Sequence, residues 1–355
     1  NNAGNGDTII VGSSDGHGDG VYTENVNVAK SLIIKSESGY ATTTVVAADT
    51  NDHVFEITVS NVTIGGEDCG FSIYGATGTD AAAIFLDSTV TGCTIQDNRC
   101  GWDNDHKNYC GIVLYNSNTN TILNNTSSSS STTGIVLLVS SHNTISGNTL
   151  RSSYSGISLP SSNDNTISGN TCNSNRGYGL SLHSSNYNII YLNNLSNNSD
   201  GNTSVSASTT NTWNSPTPIF YNYTGGSYHK NYLGNYYSDY DYYWSSRINR
   251  FHRLYVTFDY YSPVFTDLYW YDYRPLTWGI SIYGGVPGFS MIYDTYYPVY
   301  YPVNYAYYYG WYNPYTYDPY YYTSWYWGYR PRYTSYWYSP FVFNIYIGHR
   351  WHNHY

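Results

Sequence analysis

Gly134-Ile-Val-Leu-Leu-Val-Ser-Ser-His-Asn-Thr-Ile-Ser-Gly-Asn148 is followed after a short interval by Gly156-Ile-Ser-Leu-Pro-Ser-Ser-Asn-Asp-Asn-Thr-Ile-Ser-Gly-Asn170. The same grammar flanks this pair. Gly111-Ile-Val-Leu precedes it and Gly179-Leu-Ser-Leu follows, so four glycines stand 23, 22 and 23 residues apart. Behind each glycine comes an asparagine step: Asn120 to Asn125, Asn143 to Asn148, Asn165 to Asn170 and Asn188 to Asn193.

A fixed period of this size without helical spacing marks a solenoid. Neighbouring side chains of a strand point to opposite faces. Ile112/Leu114, Ile135/Leu137, Ile157/Leu159 and Leu180/Leu182 therefore share one side, and Val113, Val136, Ser158 and Ser181 the other. Ile122, Ile145, Ile167 and Ile190 form a second inward column. Coiling the chain so that each column stacks on itself gives an all-β parallel β-helix around a narrow aliphatic core. A polar β-sandwich would not hold such columns in register. Asparagine suits the corners, because it tolerates left-handed backbone and its amide can bond along the stack. The expectation is about nine to ten rungs and a rod of about 45 Å at the usual strand spacing.

Composition divides the chain near position 240. Residues 1–240 hold all four Lys, all four Glu and all five Cys, whereas residues 241–355 hold 31 of the 47 Tyr and eight of the ten Trp. The net charge of −10 argues against nucleic acid as a partner. No apolar run approaches the roughly 18 residues of a membrane span. The numbering starts at Asn1 without Met, which reads as a mature or truncated product. Sequons at Asn61, Asn124, Asn125, Asn194, Asn197, Asn202 and Asn222 fit a secreted glycoprotein, although a chain this rich in Asn, Ser and Thr also forms them by chance. Cys100 and Cys110 bracket an excursion and could staple it, Cys69 and Cys93 lie about one rung apart, and Cys172 reads as a buried free thiol.

Gly6-Asp-Thr-Ile-Ile-Val11, Tyr22-Thr-Glu-Asn-Val-Asn-Val28, Lys30-Ser-Leu-Ile-Ile-Lys-Ser-Glu37 and His53-Val-Phe-Glu-Ile-Thr-Val59 resemble the opening of NosD-like, pectin-lyase-like right-handed β-helix proteins. The Asn-Thr-Ile-Ser-Gly-Asn rungs and the closing Asn211-Thr-Trp-Asn-Ser-Pro216 and Leu233-Gly-Asn-Tyr-Tyr-Ser-Asp-Tyr240 extend the resemblance over residues 1 to about 240. It implies a right-handed parallel β-helix. It implies no single activity, since such coils serve surface proteins, carbohydrate-binding modules and sugar-cleaving enzymes alike. Nothing in it accounts for the Tyr-rich remainder.

Sugar-cleaving β-helices need carboxylates clustered on outward positions of adjacent rungs. No acid occurs between Asp105 and Asp164 or between Asp164 and Asp200, so the central body shows no catalytic dyad. Three candidates remain. Trp102-Asp-Asn-Asp-His-Lys107 offers Asp103, Asp105 and His106 as acid and base, or is a hairpin that decorates the coil. Asp15-Gly-His-Gly-Asp19 resembles one polygalacturonase element, yet stands in the first rung without the others and reads as a glycine-rich turn. His349, His352 and His354 have spacing that could hold a transition metal, or form a His-rich end. No cofactor is called for, and the metal-delivery role associated with the NosD name finds no Met or His cluster in the body, Met291 being the single methionine.

Residues 241–355 are punctuated by proline, which removes a backbone donor and breaks helix interiors and central strands. Leu254-Tyr-Val-Thr-Phe258 and Trp278-Gly-Ile-Ser-Ile-Tyr283 could add strands. Tyr and Trp concentrate at interfaces, which nominates Tyr307, Tyr308, Tyr309, Trp311, Tyr320, Tyr321, Tyr322, Trp325 and Trp327 as assembly residues. The leading expectation is a secreted or cell-surface structural protein that self-associates into fibres or a coat, its partners copies of itself. The alternative is a polysaccharide-binding or polysaccharide-cleaving β-helix protein, using the outer sheet face or the 100–110 loop.

Overall fold

The computed structural model describes residues 2–12, 20–208, 210–222 and 228–238, together with the strand backbones Tyr243–Ser245, Arg250–His252, Tyr255–Phe258, Tyr269–Asp272 and Ser281–Ile282. The glycine-rich 15–19 turn, the three terminal histidines, Met291 and the nine nominated assembly residues lie outside the described residues.

No helix occurs among the described residues. The chain winds through three parallel sheets of eight, nine and eight strands as a right-handed β-helix. A single coil reads Thr121–Leu123 in the first sheet, Thr126–Ser128 in the second and Thr133–Leu138 in the third. The sheets give about eight turns, fewer than the nine to ten expected. The interval between first-sheet strands is 25–31 residues in the early coils and only 22–23 from Thr121 onward, so extrapolating the short repeat overcounts. The rod is correspondingly about 40 Å tall.

Stacked columns fill the interior. Ile34, Ile64, Ile95, Ile122, Ile145, Ile167 and Ile190 form one unbroken file in the first sheet. The third sheet contributes two files, Ile84-Ile112-Ile135-Ile157-Leu180 and Leu86-Leu114-Leu137-Leu159-Leu182, all at most 1% exposed. In the second sheet the file runs Ile73, Cys100, Ser127, Leu150, Cys172, Leu195 and Tyr237. Gly111, Gly134 and Gly156 face this file at Ser127, Leu150 and Cys172: a Cβ on Gly134 would stand 3.0 Å from Leu150 Cδ2, and one on Gly156 would stand 2.9 Å from Cys172 Cβ. Their role is close packing of the third sheet on the second.

Ladders of side-chain hydrogen bonds hold the corners. Asn98, Asn125, Asn148, Asn170, Asn193 and Asn235 form one, each Oδ1 after the first accepting the main-chain N–H of the asparagine one turn earlier at 2.8–3.1 Å. Asn120, Asn143, Asn165, Asn188 and Asn211 form a second. Ser117, Ser140, Ser162, Ser185 and Ser208 form a third at the remaining bend. Buried polar groups at the corners are thereby satisfied rather than stranded. Trp213, Leu233 and Tyr237 close the C-terminal end of the core, as Asn235 continues the ladder after a gap of 42 residues.

The cysteine pairings are corrected by the structure: all five are free thiols. Cys100 and Cys172 occupy core positions of the second sheet, where burial pushes the Cys100 thiol up to about 12 and the Cys172 thiol higher still. Cys110 opens a third-sheet strand with its Sγ 2.9 Å from Thr132 Oγ1. Cys93 takes the first rung of the second asparagine ladder: its N–H donates to Asn120 Oδ1 at 2.9 Å and its Sγ accepts from Val62 N–H at 3.3 Å. Two sequons are corrected as well. Asn125 and Asn202 are 1% and 2% exposed, and the Asn125 amide is committed to the ladder, so neither can carry a glycan in the folded coil. Asn61, Asn124 and Asn197 stand exposed at left-handed corners, Asn194 is half-buried, and the side chain of Asn222 lies outside the description.

Strands Tyr255–Phe258 and Ser281–Ile282 fall where the sequence suggests additional strands. Tyr255–Phe258 pairs with Tyr269–Asp272, and Ser281–Ile282 with Ile219–Asn222, all antiparallel.

Candidate functional site

The 101–109 excursion leaves the coil between the second and third sheets. Hydrogen bonds rather than a disulfide tie its base: Gly75 N–H donates to Lys107 O at 3.0 Å, and buried Asn108 accepts from Ala76 N–H at 3.2 Å and donates to Ile73 O at 3.1 Å. Trp102 is sandwiched, its ring lying 4.4 Å from the Arg99 guanidinium carbon and stacking on His106 at 4.4 Å. Tyr74, from the previous coil, meets both rings edge-on at 5.1 and 4.8 Å. Register makes this possible, because Arg99 pairs with Ser72 and so places Tyr74 beside Gly101.

Asp103 and His106 come together as expected, but as a turn. Asp103 Oδ1 accepts from His106 Nδ1 at 2.8 Å and from the main-chain N–H groups of Asp105 and His106 at 3.0 and 2.9 Å. The His106 hydrogen bond holds the Asp103 carboxyl below its ordinary range. A carboxylate kept ionised and engaged by its own turn is a poor general acid. Asp105 shares no hydrogen bond with Asp103 other than through its main chain. The loop therefore braces itself rather than presenting an acid–base pair.

What it borders is an open groove of about 380 Å³ lined by Asn104, Lys107, Ser129, Ser131, Ser152 and Arg176. These residues come from successive coils at one corner. Arg176 is anchored by Nη2 to Ser131 O at 3.2 Å. Tyr154, 52% exposed, neighbours them. Its ring lies over Gly177, where an added Cβ would stand 3.2 Å from Tyr154 Cε1. The absent side chain lets the ring lie flat on the backbone. The lining thus combines two cations, hydroxyls and an amide beside an exposed aromatic ring, with no carboxylate in it. Sequence reasoning selected Asn104 and Lys107 within the loop and missed Tyr154, Arg176 and the serines. The signal was the register: in-phase corners bring residues 129–131, 152–154 and 176–177 to the loop.

A family model described as "Periplasmic copper-binding protein (NosD)" matches residues 1–242, and the chain belongs to that family. No curated protein matches the sequence. Among solved structures, a single-substitution mutant of the periplasmic alginate epimerase AlgG is 19% identical with a TM-score of 0.43, over 54% of this chain and 46% of that one. The Dettilon tailspike protein (gp208) is 14% identical with a TM-score of 0.37, over 54% and 53% of the two chains. The chain spans about half the length of each, and likenesses at this level say nothing about activity.

The family description raises copper, and the described residues do not fit it. No three of His, Cys, Asp or Glu converge among them. Cys93, Cys100, Cys110 and Cys172 are buried with thiols held protonated by desolvation, the wrong state for a metal ligand. His53 stacks on Phe85 at 4.1 Å and its Nδ1 accepts from Ala82 N–H at 3.1 Å. Among the described residues no helix is long and apolar enough to cross a membrane.

Proposed function

We propose that this member of the NosD family is a periplasmic or surface-exposed polysaccharide-binding protein that holds acidic sugar chains without cleaving them. The observation that carries the reading is the corner groove: Lys107 and Arg176 in a lining free of carboxylates, beside the exposed ring of Tyr154. An aromatic face offers apolar contact to the C–H face of a sugar ring. The cations supply charge-assisted bonds to its carboxylate, and the serine and Asn104 groups can bond hydroxyls. The Trp102 cluster fixes the loop that supplies Asn104 and Lys107. The engaged Asp103 and the acid-free central rungs support binding over cleavage. The test is a panel of neutral and uronic polysaccharides against the full chain. Retention of uronic chains that weakens at least tenfold in Tyr154→Ala and in Arg176→Ala supports the reading; equal retention of all chains by parent and variants overturns it.

Self-association through residues 241–355 is a second reading, favoured by the concentration of 31 Tyr and eight Trp there. The core is closed by Trp213, Leu233 and Tyr237 before this region begins. Removal of residues 241–355 is therefore expected to leave a folded monomer by light scattering, and an unchanged oligomer refutes the reading.

A further inference from the structure

Beside the groove, a third cation is aimed at the same bend. Residues 127–131 are five consecutive serines that carry the chain from the second sheet into the third, Ser129 taking φ of 58°. Side chains this short leave room above the bend for long side chains of later coils. Arg176 uses that room, its Nη2 reaching back two coils to Ser131 O at 3.2 Å. Arg151 does the same from one coil away: the register pairs it with Ser128 across the second sheet, and its Nε donates to Ser128 Oγ at 3.2 Å. From the loop side, Ser131 N–H donates to Asn108 O at 2.9 Å, which brings the neighbouring Lys107 to the bend. Cations from three coils thus meet on one run of serines.

Arg151 is exposed and stands just outside the groove lining, on the second-sheet side of the bend, whereas Arg176 is anchored on the third-sheet side. The bond to Ser128 leaves both of its terminal nitrogens without an acceptor among the described residues. Nor does an acid neutralise it: the chain has none between Asp105 and Asp164, and the one ion pair among the described residues joins Asp103 to His106. A single carboxylate is matched by one forked guanidinium, or by a guanidinium and an ammonium together. Three cations around one acid would leave positive charge uncompensated.

We infer that Arg151 is a further anion-holding residue of this corner, and that it takes the acidic group of the sugar next to the one held by Lys107 and Arg176. The corner then selects polymers that are acidic at neighbouring sugars over polymers in which acidic and neutral sugars alternate. This rests on the polysaccharide reading above and deepens it: Lys107, Arg176 and Tyr154 hold one acidic sugar, and Arg151, across the bend, reads the adjoining one. Neighbouring carboxylates repel each other along such a chain, so a surface that pairs both gains more from the dense polymer than from the sparse one.

Titration calorimetry of the full chain tests it with two polymers, polygalacturonate, which is acidic at every sugar, and hyaluronan, which is acidic at every second one. The parent is expected to bind polygalacturonate at least tenfold more tightly per sugar. Arg151→Gln is expected to remove that difference by weakening polygalacturonate alone, and to lower the slope of log affinity against log salt by about 1. Glutamine at this exposed position keeps the fold, so the urea midpoint stays with the parent's. Equal affinity of the parent for both polymers overturns the inference and leaves the polysaccharide reading standing, as does an Arg151→Gln variant that loses nothing or loses equally on both. Binding of neither polymer by the parent removes the polysaccharide reading and this inference with it.

Discussion

Asn148→Ala probes the ladder on which the coil's register depends. Asn148 is 1% exposed, and its amide nitrogen donates to Ile122 O at 2.9 Å, Ser146 O at 3.0 Å and Asn170 Oδ1 at 2.9 Å. Its Oδ1 accepts from Asn125 N–H at 2.8 Å and Asn125 Nδ2 at 3.1 Å. Alanine removes all five bonds, and the buried main-chain N–H of Asn125 loses its side-chain acceptor. A stranded buried donor costs about 2 kcal/mol, and the remaining amide bonds bring the local loss to about 3 kcal/mol. In a solenoid the effect falls on the affected coil and its neighbours. Hydrogen exchange read by mass spectrometry over residues 121–128 is therefore the assay, and 3 kcal/mol corresponds to roughly a hundredfold loss of protection. The outward Thr144→Ser serves as control and should move protection by less than about 0.5 kcal/mol. Protection in Asn148→Ala within about threefold of the parent would refute the claim that the amide ladder, rather than the aliphatic files alone, fixes the corner.

Gly156→Ala is expected to destabilise the coil by about 2 kcal/mol in urea unfolding, since its Cβ would stand 2.9 Å from Cys172 Cβ and press on the Gly179 carbonyl; an unchanged midpoint would remove the packing role of the glycine file. Burial, opposed only in part by Glu56, Asp52, Asp87 and Asp80, holds His53 below its ordinary 6.5, so the unfolded chain takes up the proton first. Stability is full above 6.5 and falls as pH drops through that value toward the lower folded one; the urea midpoint should decline across that window in the parent and less in His53→Gln. Buried thiols with raised pKa should resist a thiol-reactive disulfide reagent in the native protein, leaving half-buried Cys69 as the first to react, with all five reacting after unfolding; two or more thiols missing from the unfolded count would restore a disulfide.

The coil was legible because its information is periodic. Ile122, Ile145 and Ile167 sit at equal intervals and pair directly across successive strands, so one correct strand assignment propagates through the sheet. The early coils were harder: insertions between Thr63 and Thr94 lengthen the period, and the turn count came out too high. Cysteine spacing misled because Cys100 stands where other coils place Ile73 or Leu150, and a thiol filling a core file looks in sequence like half of a bridge. The loop 101–107 stood out by composition, but its geometry depends on Tyr74 and Arg99 from other strands, and the groove on residues one to three coils away. A corner assembled by register is invisible until register is fixed. Tyr154 shows this most plainly, since the place of its ring depends on the absence of a side chain at Gly177, 23 residues on.

The most direct test of the central claim is hydrogen exchange on the full chain with and without a uronic-acid oligosaccharide. Slowed exchange confined to 101–107, 129–132, 152–154 and 174–177, and abolished by Arg176→Ala, is the result expected of a binding corner built from Lys107, Tyr154 and Arg176. Protection on another face of the coil, or none at saturating oligosaccharide, would contradict it.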